Sequence, residues 1–429
     1  MKICLVTAFP PSRRGLNEYG YHIARELQRD PLLSLTVLAD ELPAAQLEPS
    51  HENARTWSAA DVEEFEVRRC WSFDSLTNPL RLLSAIRDCR PDVVWFNLLF
   101  STFGNNPFAA FSGLTIPVLT RLSGYYTHVT LHHLMDNIDL SDAGVSFPHV
   151  YRMAGSVATR MLLMSNSISV LLPAYRRTLM ERYRGDNVYF RAHGILSARP
   201  EAPDYSRRGN PEHRILAFGK WGTYKRLEKL LDAFAIVREQ IPNATLVIAG
   251  SNHPITPGYV ESVAARFRNN SEIKFTGYVD EDQIPELFRS ASVLVMPYSS
   301  ATGSSGVAHL ACEYGVPILS ADIKDFREMA DDEGLAILFY ETGDPQALAD
   351  RMIYLLRTPE LQREMAEQNF SAALRMTMPQ IIRQYLRSFD LHKRARALEP
   401  ISRFRRIPSW VPARSAIFRA AAPRWAPWM

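Results

Sequence analysis

Apolar positions along the chain fall into short blocks, and between many of them the spacing changes from continuous to helical. KICLVTA (residues 2–8) is an apolar run closed by two prolines, which predicts a buried strand. LNEYGYHIARELQ (16–28) puts Leu16, Tyr19, Ile23 and Leu27 on one helical face. LSLTVLAD (33–40), PDVVWFN (91–97), PVLTRL (117–122) and ISVLLP (168–173) predict further strands, and VYRMAGSVATRMLLM (150–164) predicts a helix between the last two. Residues 197–213, SARPEAPDYSRRGNPEH, are polar and carry three prolines, the composition of a linker. After them the alternation restarts. RILAFG, ATLVIAG, EIKFTG, ASVLVMP, VPILSA and LAILFY are strands, and RLEKLLDAFAIV is a helix with Leu227, Leu230, Leu231 and Phe234 at i, i+3, i+4 and i+7.

Two strand–helix arrays joined by one linker imply an α/β fold of two doubly wound, mostly parallel domains. The expected division is 1–196 for an N-terminal Rossmann-like domain, 197–213 for the linker, 214–370 for a C-terminal Rossmann-like domain, 371–399 for C-terminal helices crossing back to the first domain, and 400–429 for a tail. Ligands in such sheets bind beyond the carboxyl ends of the strands, so a site is expected in the cleft between the domains.

Composition is that of an ordinary globular protein, 46% hydrophobic and 22% charged over 429 residues. The net charge of +3 is unevenly spread. Leu391–Met429 holds nine basic residues and one acidic, leaving 40 basic and 45 acidic residues before it. The body is therefore no general polyanion binder, and nucleic acid is not an expected partner. The tail has five prolines from Pro400 onward, a density that argues against a long helix there. Trp410, Trp425, Trp428, Phe404 and Ile407 are interleaved with Arg403, Arg405, Arg406 and Arg414. One reading is peripheral contact with an anionic membrane surface; the other is a tail that wraps the folded body. Cys4, Cys70, Cys89 and Cys312 lack the spacing of a zinc or redox pair, which points to a reduced, cytoplasmic setting, at the inner face of the membrane if the tail binds it. No run of about 18 apolar residues marks a membrane span.

Chemistry concentrates in PYSSATGSSGVAHLACEYGVP (297–317). A helix starting near Ser305 would aim its unpaired first amides, and its dipole, past the end of the preceding strand. Gly303 and Gly306 let an anion approach the backbone, and Ser304 and Ser305 offer hydroxyls. A plain helix cap explains the same residues. FGKWGTYKRLEKL places Lys220 after a strand and Lys225 before the next helix, on the same side as the serine loop. Two cations there could neutralise a diphosphate, although surface solvation is the commoner fate of lysine.

These segments, from about Arg214 to Ala349, resemble the C-terminal domain of the group 1, family 4 retaining glycosyltransferases, whose architecture is GT-B. VTAFPPSRRGLNEYGYHIARELQ looks like that family's first strand, glycine loop and first helix. The resemblance implies Lys220 and Lys225 as the catalytic cations on the diphosphate of a UDP- or GDP-sugar donor. It implies donor contacts from Gly15, Gly303, Ser304, Ser305, Gly306 and Val307, and acceptor contacts from Asn17, Glu18 and Tyr19. Gly194 matches the glycine before the interdomain linker. Two family glutamates fall on Thr302 and Leu310, so His309 or Glu313 is expected to substitute at the donor. The family histidine after an N-terminal strand falls on Leu122, with His128 six residues later. Tyr125 and His128 are then acceptor candidates, with packing as the alternative. His128, His132 and His133 lack a completing carboxylate or thiol for metal, and neither metal nor cofactor is expected. The implied reaction moves a sugar, with retention, to a glycan or lipid-linked acceptor in polysaccharide or cell-envelope synthesis. A non-catalytic nucleotide-sugar-binding subunit and an epimerase-like enzyme are the alternatives.

Overall fold

The computed structural model of the chain describes residues 1–12, 14–42, 62–137, 148–205, 213–253, 256–267, 270–280, 282–300 and 303–405. The first array comprises β1 (Lys2–Val6), α1 (Asn17–Gln28), β2 (Ser34–Asp40), β3 (Val67–Trp71), α2 (Asn78–Cys89), β4 (Val93–Leu98), α3 (Pro107–Leu114), α4 (Ile116–Leu122), β5 (Tyr126–Leu131), α5 (Pro148–Leu163), β6 (Ser167–Val170), α6 (Pro173–Glu181) and β7 (Val188–Phe190). Its strands pair in parallel in the order β3-β2-β1-β4-β5-β6-β7. The second array comprises β8 (Arg214–Phe218), α7 (Leu227–Gln240), β9 (Thr245–Ala249), α8 (Tyr259–Ala265), β10 (Ile273–Gly277), α9 (Ile284–Arg289), β11 (Val293–Met296), α10 (Gly306–Glu313), β12 (Ile318–Ala321), α11 (Lys324–Glu333) and β13 (Ile337–Tyr340). Its order is β10-β9-β8-β11-β12-β13, also parallel. Helices α12 (Pro345–Leu356), α13 (Pro359–Arg375) and α14 (Met378–Arg405) follow.

Helix layers cover both faces of each sheet, so central strands such as β4 and β11 are buried at every position and read as apolar runs without alternation. Their amphipathic ends are satisfied internally: Trp71 donates its indole N–H to the Leu38 carbonyl (3.1 Å), Trp95 to Thr130 Oγ1 (2.9 Å) and Trp221 to the Ala249 carbonyl (2.9 Å). In each sheet the strand order reverses between two central strands, β1 and β4 in the first and β8 and β11 in the second. Crevices open beyond their carboxyl ends at such points.

Both sheets lie in one compact unit, Met1–Ile381. Ile195, where the chain leaves the first array, donates its N–H to the Met376 carbonyl (3.0 Å) and forms a bridge with Thr377. Gly194 adopts φ 73°, and a Cβ there would stand 2.7 Å from the Met376 carbonyl oxygen, which only glycine accommodates. A second unit, Ile382–Met429, begins within α14.

Two expectations fail. PVLTRL is not a strand but α4, with Leu122 73% exposed. Pro117 sits in its first turn, where a missing amide costs nothing, and the strand is the following YTHVTL, whose β-branched and aromatic residues suit a pleated surface. The tail's first proline also does not stop a helix: α14 runs through Pro400 to Arg405. One proline removes one amide, and the LHKRARAL stretch before it is rich in good helix formers. The boundaries expected at 370/371 and 399/400 thus each fall inside a helix. Trp410, Trp425, Trp428, Ile407, Arg406 and Arg414 lie outside the described residues, as does Thr302. No described helix is long and apolar enough to cross a membrane.

Candidate active site

In the second half of the chain, β11 ends at Met296 and α10 starts at Gly306 with Ser305 as its N-cap. The Ser305 hydroxyl accepts from the Ala308 amide (3.2 Å), and His309 donates its own amide (3.1 Å) and its Nδ1–H (2.7 Å) to the Ser305 carbonyl. The amides of Gly306 and Val307 precede the first helical bond and are unclaimed by the helix. The Ser304 and Ser305 hydroxyls turn inward, toward Met329 Sδ and Met296 Sδ. The loop therefore offers the main-chain amides of Gly306 and Val307, with the serine hydroxyls engaged by the two methionine sulfurs and, for Ser305, the Ala308 amide. Gly303 holds φ 105°, and its Cβ would collide with the His132 carbonyl at 2.6 Å, so the loop can pass under the first array only as glycine. Asp325, at the start of α11, accepts the Gly303 amide and the Tyr175 hydroxyl (3.1 Å) and fixes the loop to α6.

Lys225 reaches the same place from the loop after β8. Its Nζ lies 4.7 Å from the Tyr298 ring centre and 5.6 Å from that of Trp221. That ammonium (2.7 Å), the Tyr298 hydroxyl (3.7 Å) and Val307 Cγ2 (3.7 Å) all surround the point where a Cβ on Gly219 would sit. The side chain is 8% exposed, and burial, then the charge of Lys220, lower its pKa to about 7. Lys220 itself is exposed. The Tyr224 carbonyl accepts both the amide (2.8 Å) and hydroxyl (3.1 Å) of Ser299, tying the two loops together. So the structure brings Lys225, Gly303, Gly306 and Val307 to one locality, with Lys220 at its rim.

The first array meets this locality with histidines. His132 follows β5 directly and donates Nε2–H to Asn97 Oδ1 (2.7 Å), Asn97 in turn donating to Thr7 Oγ1 (3.1 Å). His193 lies against Gly306, its Cε1 and Nε2 at 3.8 and 4.0 Å from where a Cβ would be. Tyr19 donates its hydroxyl to the His193 carbonyl (2.9 Å), with ring centres 4.7 Å from His193 and 4.9 Å from His132. His309 completes this cluster of rings at 5.0 Å from His193, its Nε2 2.9 Å from Glu333 on α11. Burial lowers the pKa of His132 well below its usual value and that of His133 to about 4; burial and His309 lower that of His193 to about 3. His309 goes the other way: burial opposes its charge, but Glu333 and the Ser305 carbonyl outweigh it and raise its pKa.

Several anticipated residues stand elsewhere. Glu313 is at the far end of α10, roughly 10 Å along the helix from its first amides, and accepts from the Ser197 amide of the linker; burial raises its pKa to about 7. His309 is at the site but turned to Glu333. Tyr125 precedes β5, at the amino edge of the sheet, and His128 is buried within β5 on Ser167 Oγ (2.7 Å). Neither reaches the carboxyl edge. The histidine expected near Leu122 is displaced because 116–122 is helix; the one that ends the strand is His132. Gly15 lies over β4, 3.2 Å from Leu99 Cδ1 at its Cβ position. Asn17 bonds the Ser12 carbonyl (2.6 Å), Glu18 is an exposed first-turn residue of α1, and Tyr19 is 6% exposed. Below this loop, buried Asp40 accepts the Ser12 hydroxyl (2.5 Å) and the Phe9 amide (3.2 Å), and Arg69 donates to the carbonyls of Asp40 (2.8 Å) and Pro10 (2.6 Å). Sequence reasoning missed Tyr298, His193 and Asp325, and it named His132 only within a histidine cluster read as polar surface or acceptor contacts; Tyr298 lies two residues past the end of β11 and His193 adjoins Gly194. Among the described residues no group of three or more His, Cys, Asp or Glu side chains is placed to hold a metal ion.

Comparison with known proteins bears on the same segments. Residues 199–371 match the model of the family described as "Glycosyl transferases group 1". A phosphatidyl-myo-inositol mannosyltransferase of Mycobacterium leprae is 27% identical over 197 residues, 46% of this chain and 50% of that protein; the chain thus spans about half the length of the curated relatives it matches. Among solved structures, HepE of Anabaena in complex with UDP superposes with a TM-score of 0.67 at 14% identity, over 91% of this chain and all of that one. Sucrose-phosphate synthase of Thermosynechococcus elongatus gives 0.70 at 14% identity, over 92% of this chain and all of that one. The frame is therefore GT-B, two Rossmann-like domains of parallel sheet, and its segment 199–371 matches the group 1 glycosyltransferase model.

Proposed function

We propose that the protein transfers a sugar from a nucleotide-diphosphate sugar, UDP- or GDP-linked, to a glycan or lipid-linked acceptor with retention at the anomeric carbon, in polysaccharide or cell-envelope glycan synthesis. The observation that carries this reading is the meeting of the Lys225 ammonium with the unclaimed amides of Gly306 and Val307 beyond the β8/β11 switch point. Solved structural neighbours supply the parallel: HepE has been solved with UDP and with UDP-glucose. In the proposed reaction the bond from the anomeric carbon to the diphosphate oxygen breaks, the acceptor oxygen bonds the same face, and the acceptor proton passes to the departing diphosphate. Lys225 and the amides stabilise the charge that grows on the leaving group, with Lys220 adding to the field from the rim. Gly15 contacts the donor, and Asn17, Glu18 and Tyr19 meet the acceptor beside the neutral His132. No carboxylate pair of the glycosidase kind is needed.

The test is nucleotide release from UDP- and GDP-sugars with and without candidate acceptors. Acceptor-dependent release is expected. Leu310, where the family carries a carboxylate, favours a second reading, a subunit that binds nucleotide and never releases it from a sugar donor. Altered donor without acceptor would instead reveal an epimerase-like enzyme. The basic tail supports a membrane-borne acceptor: removing residues 400–429 should weaken binding to anionic liposomes and leave nucleotide binding intact, and a full-length chain that ignores liposomes ends that part of the reading.

A further inference from the structure

His193 is the last side chain before the chain crosses between the arrays at Gly194, and its ring lies beside the start of α10, with Cε1 3.8 Å and Nε2 4.0 Å from the Cβ position of Gly306. Its Nδ1 sits 2.9 Å from the Gly194 carbonyl, which can only accept, so Nδ1 carries the hydrogen. The neutral ring therefore keeps its lone pair on Nε2, the atom 4.0 Å from the Cβ position of Gly306. A glycine at 306 leaves the space between that nitrogen and the first amides open.

The neighbours set its charge. His309, 5.0 Å away, donates from Nδ1 to the Ser305 carbonyl and sets Nε2 2.9 Å from a Glu333 carboxylate oxygen, an arrangement that favours its protonated form. The Tyr19 and His132 rings also lie near His193, at 4.7 and 6.2 Å between ring centres, and the Lys225 ammonium and Val307 Cγ2 both border the Cβ position of Gly219, with Lys220 close enough to lower the Lys225 pKa. A cation beside a buried imidazole favours the neutral ring. An anion seated on the Gly306 and Val307 amides reverses that field, and Nε2 is the only atom of the ring that can then gain a proton.

We propose that His193 is a ligand-contacting residue of this site, its Nε2 meeting the diphosphate held on the amides of Gly306 and Val307 and taking up a proton as that anion arrives. The inference rests on the donor reading above. It adds that the first array grips the leaving group directly, so binding of the diphosphate joins the two halves through one imidazole. Each binding event consumes a proton from solvent, which moves to His193 Nε2 with no other bond made or broken.

The test is titration calorimetry with UDP on the full chain and on His193→Gln, in buffers of different ionisation enthalpy at about pH 6, where a lysine of pKa near 7 is already charged and adds little uptake. The difference between the two proteins cancels the nucleotide's own titration. Wild type is expected to take up more protons than His193→Gln by at least about half a proton, and to bind about tenfold tighter, the loss of one charge-assisted hydrogen bond. Equal affinity and equal uptake overturn the inference; so does weaker binding with equal uptake, which makes His193 a packing residue. Should the variant fold poorly, histidine ¹⁵N spectra of the wild type with and without UDP decide instead: an imidazole nitrogen passing from lone pair to N–H on UDP addition supports the proposal, and unchanged histidine nitrogens overturn it. A wild type that binds neither UDP nor GDP overturns the donor reading and this inference together, a result distinct from the others.

Discussion

The two sheets present opposite chemistry at their carboxyl edges. Beyond β8 and β11 stand ammonium groups and amide hydrogens, with Lys225 still able to carry charge near neutral pH. Beyond β5 and β7 stand imidazoles that burial keeps uncharged, His132, His133 and His193. Both edges are buried to a similar degree, so desolvation alone does not explain the contrast. A lysine starts with a pKa four units above that of histidine, and the same burial penalty leaves the first near neutrality and drives the second far below it. Residue choice thus sets the two edges apart: the same burial leaves one able to hold a cation near neutral pH and lines the other with uncharged rings.

This division can be broken most severely at Lys225. Lys225→Ala should lower turnover by about a hundredfold or more, the usual cost of losing a charge-stabilising group, in a steady-state assay of nucleotide release; unchanged rates would remove the lysine from the chemistry. The comparison sharpens through pH. Above about 7 the free protein has lost the Lys225 proton, so nucleotide-diphosphate affinity should fall by up to about tenfold per unit from there, as calorimetry would show. Stability moves in the opposite sense. The folded pKa is depressed, so the cost of a buried charge is fully present below about 7 and is relieved as pH rises toward the unfolded value near 10.5. Lys225→Met should therefore melt higher than the parent at pH 6 and lose that advantage in alkali. Gly303→Val strikes the seam between the edges: a side chain at φ 105° against the His132 carbonyl should cost about 1–3 kcal/mol in thermal unfolding. Lys220→Ala, at an exposed position, should cost far less turnover than Lys225→Ala, and equal losses would mean the two share one role. Tyr175→Phe should be mildest, about 1 kcal/mol for one hydrogen bond to Asp325.

Legibility in the sequence followed the same division. Every strand of the second array was readable, because buried parallel strands are continuous apolar runs and each is closed by glycine, proline or a polar turn. In the first array PVLTRL deceived, since a short apolar block with two β-branched residues fits a buried strand and a first-turn proline helix equally well. That one error displaced the expected histidine from His132 to Leu122 and promoted Tyr125 and His128, which belong to the opposite edge and the sheet interior. Lys225 and the glycine loop could be found because strand-end position is local information. His193 and Asp325 could not, since their importance comes from what lies across the chain reversal at Gly194 and from α6 meeting α11. Glu313 was chosen for its carboxylate, and only the length of α10 reveals that it faces the linker.

The inward turn of the Ser304 and Ser305 hydroxyls has a consequence for how this protein could change over generations. What remains to hold a phosphate there is main chain, and main chain is the one part of a polypeptide that nearly every codon encodes alike. Under the proposed donor reading, side-chain changes around the loop alter base or hexose preference and leave the main-chain contacts to the diphosphate in place.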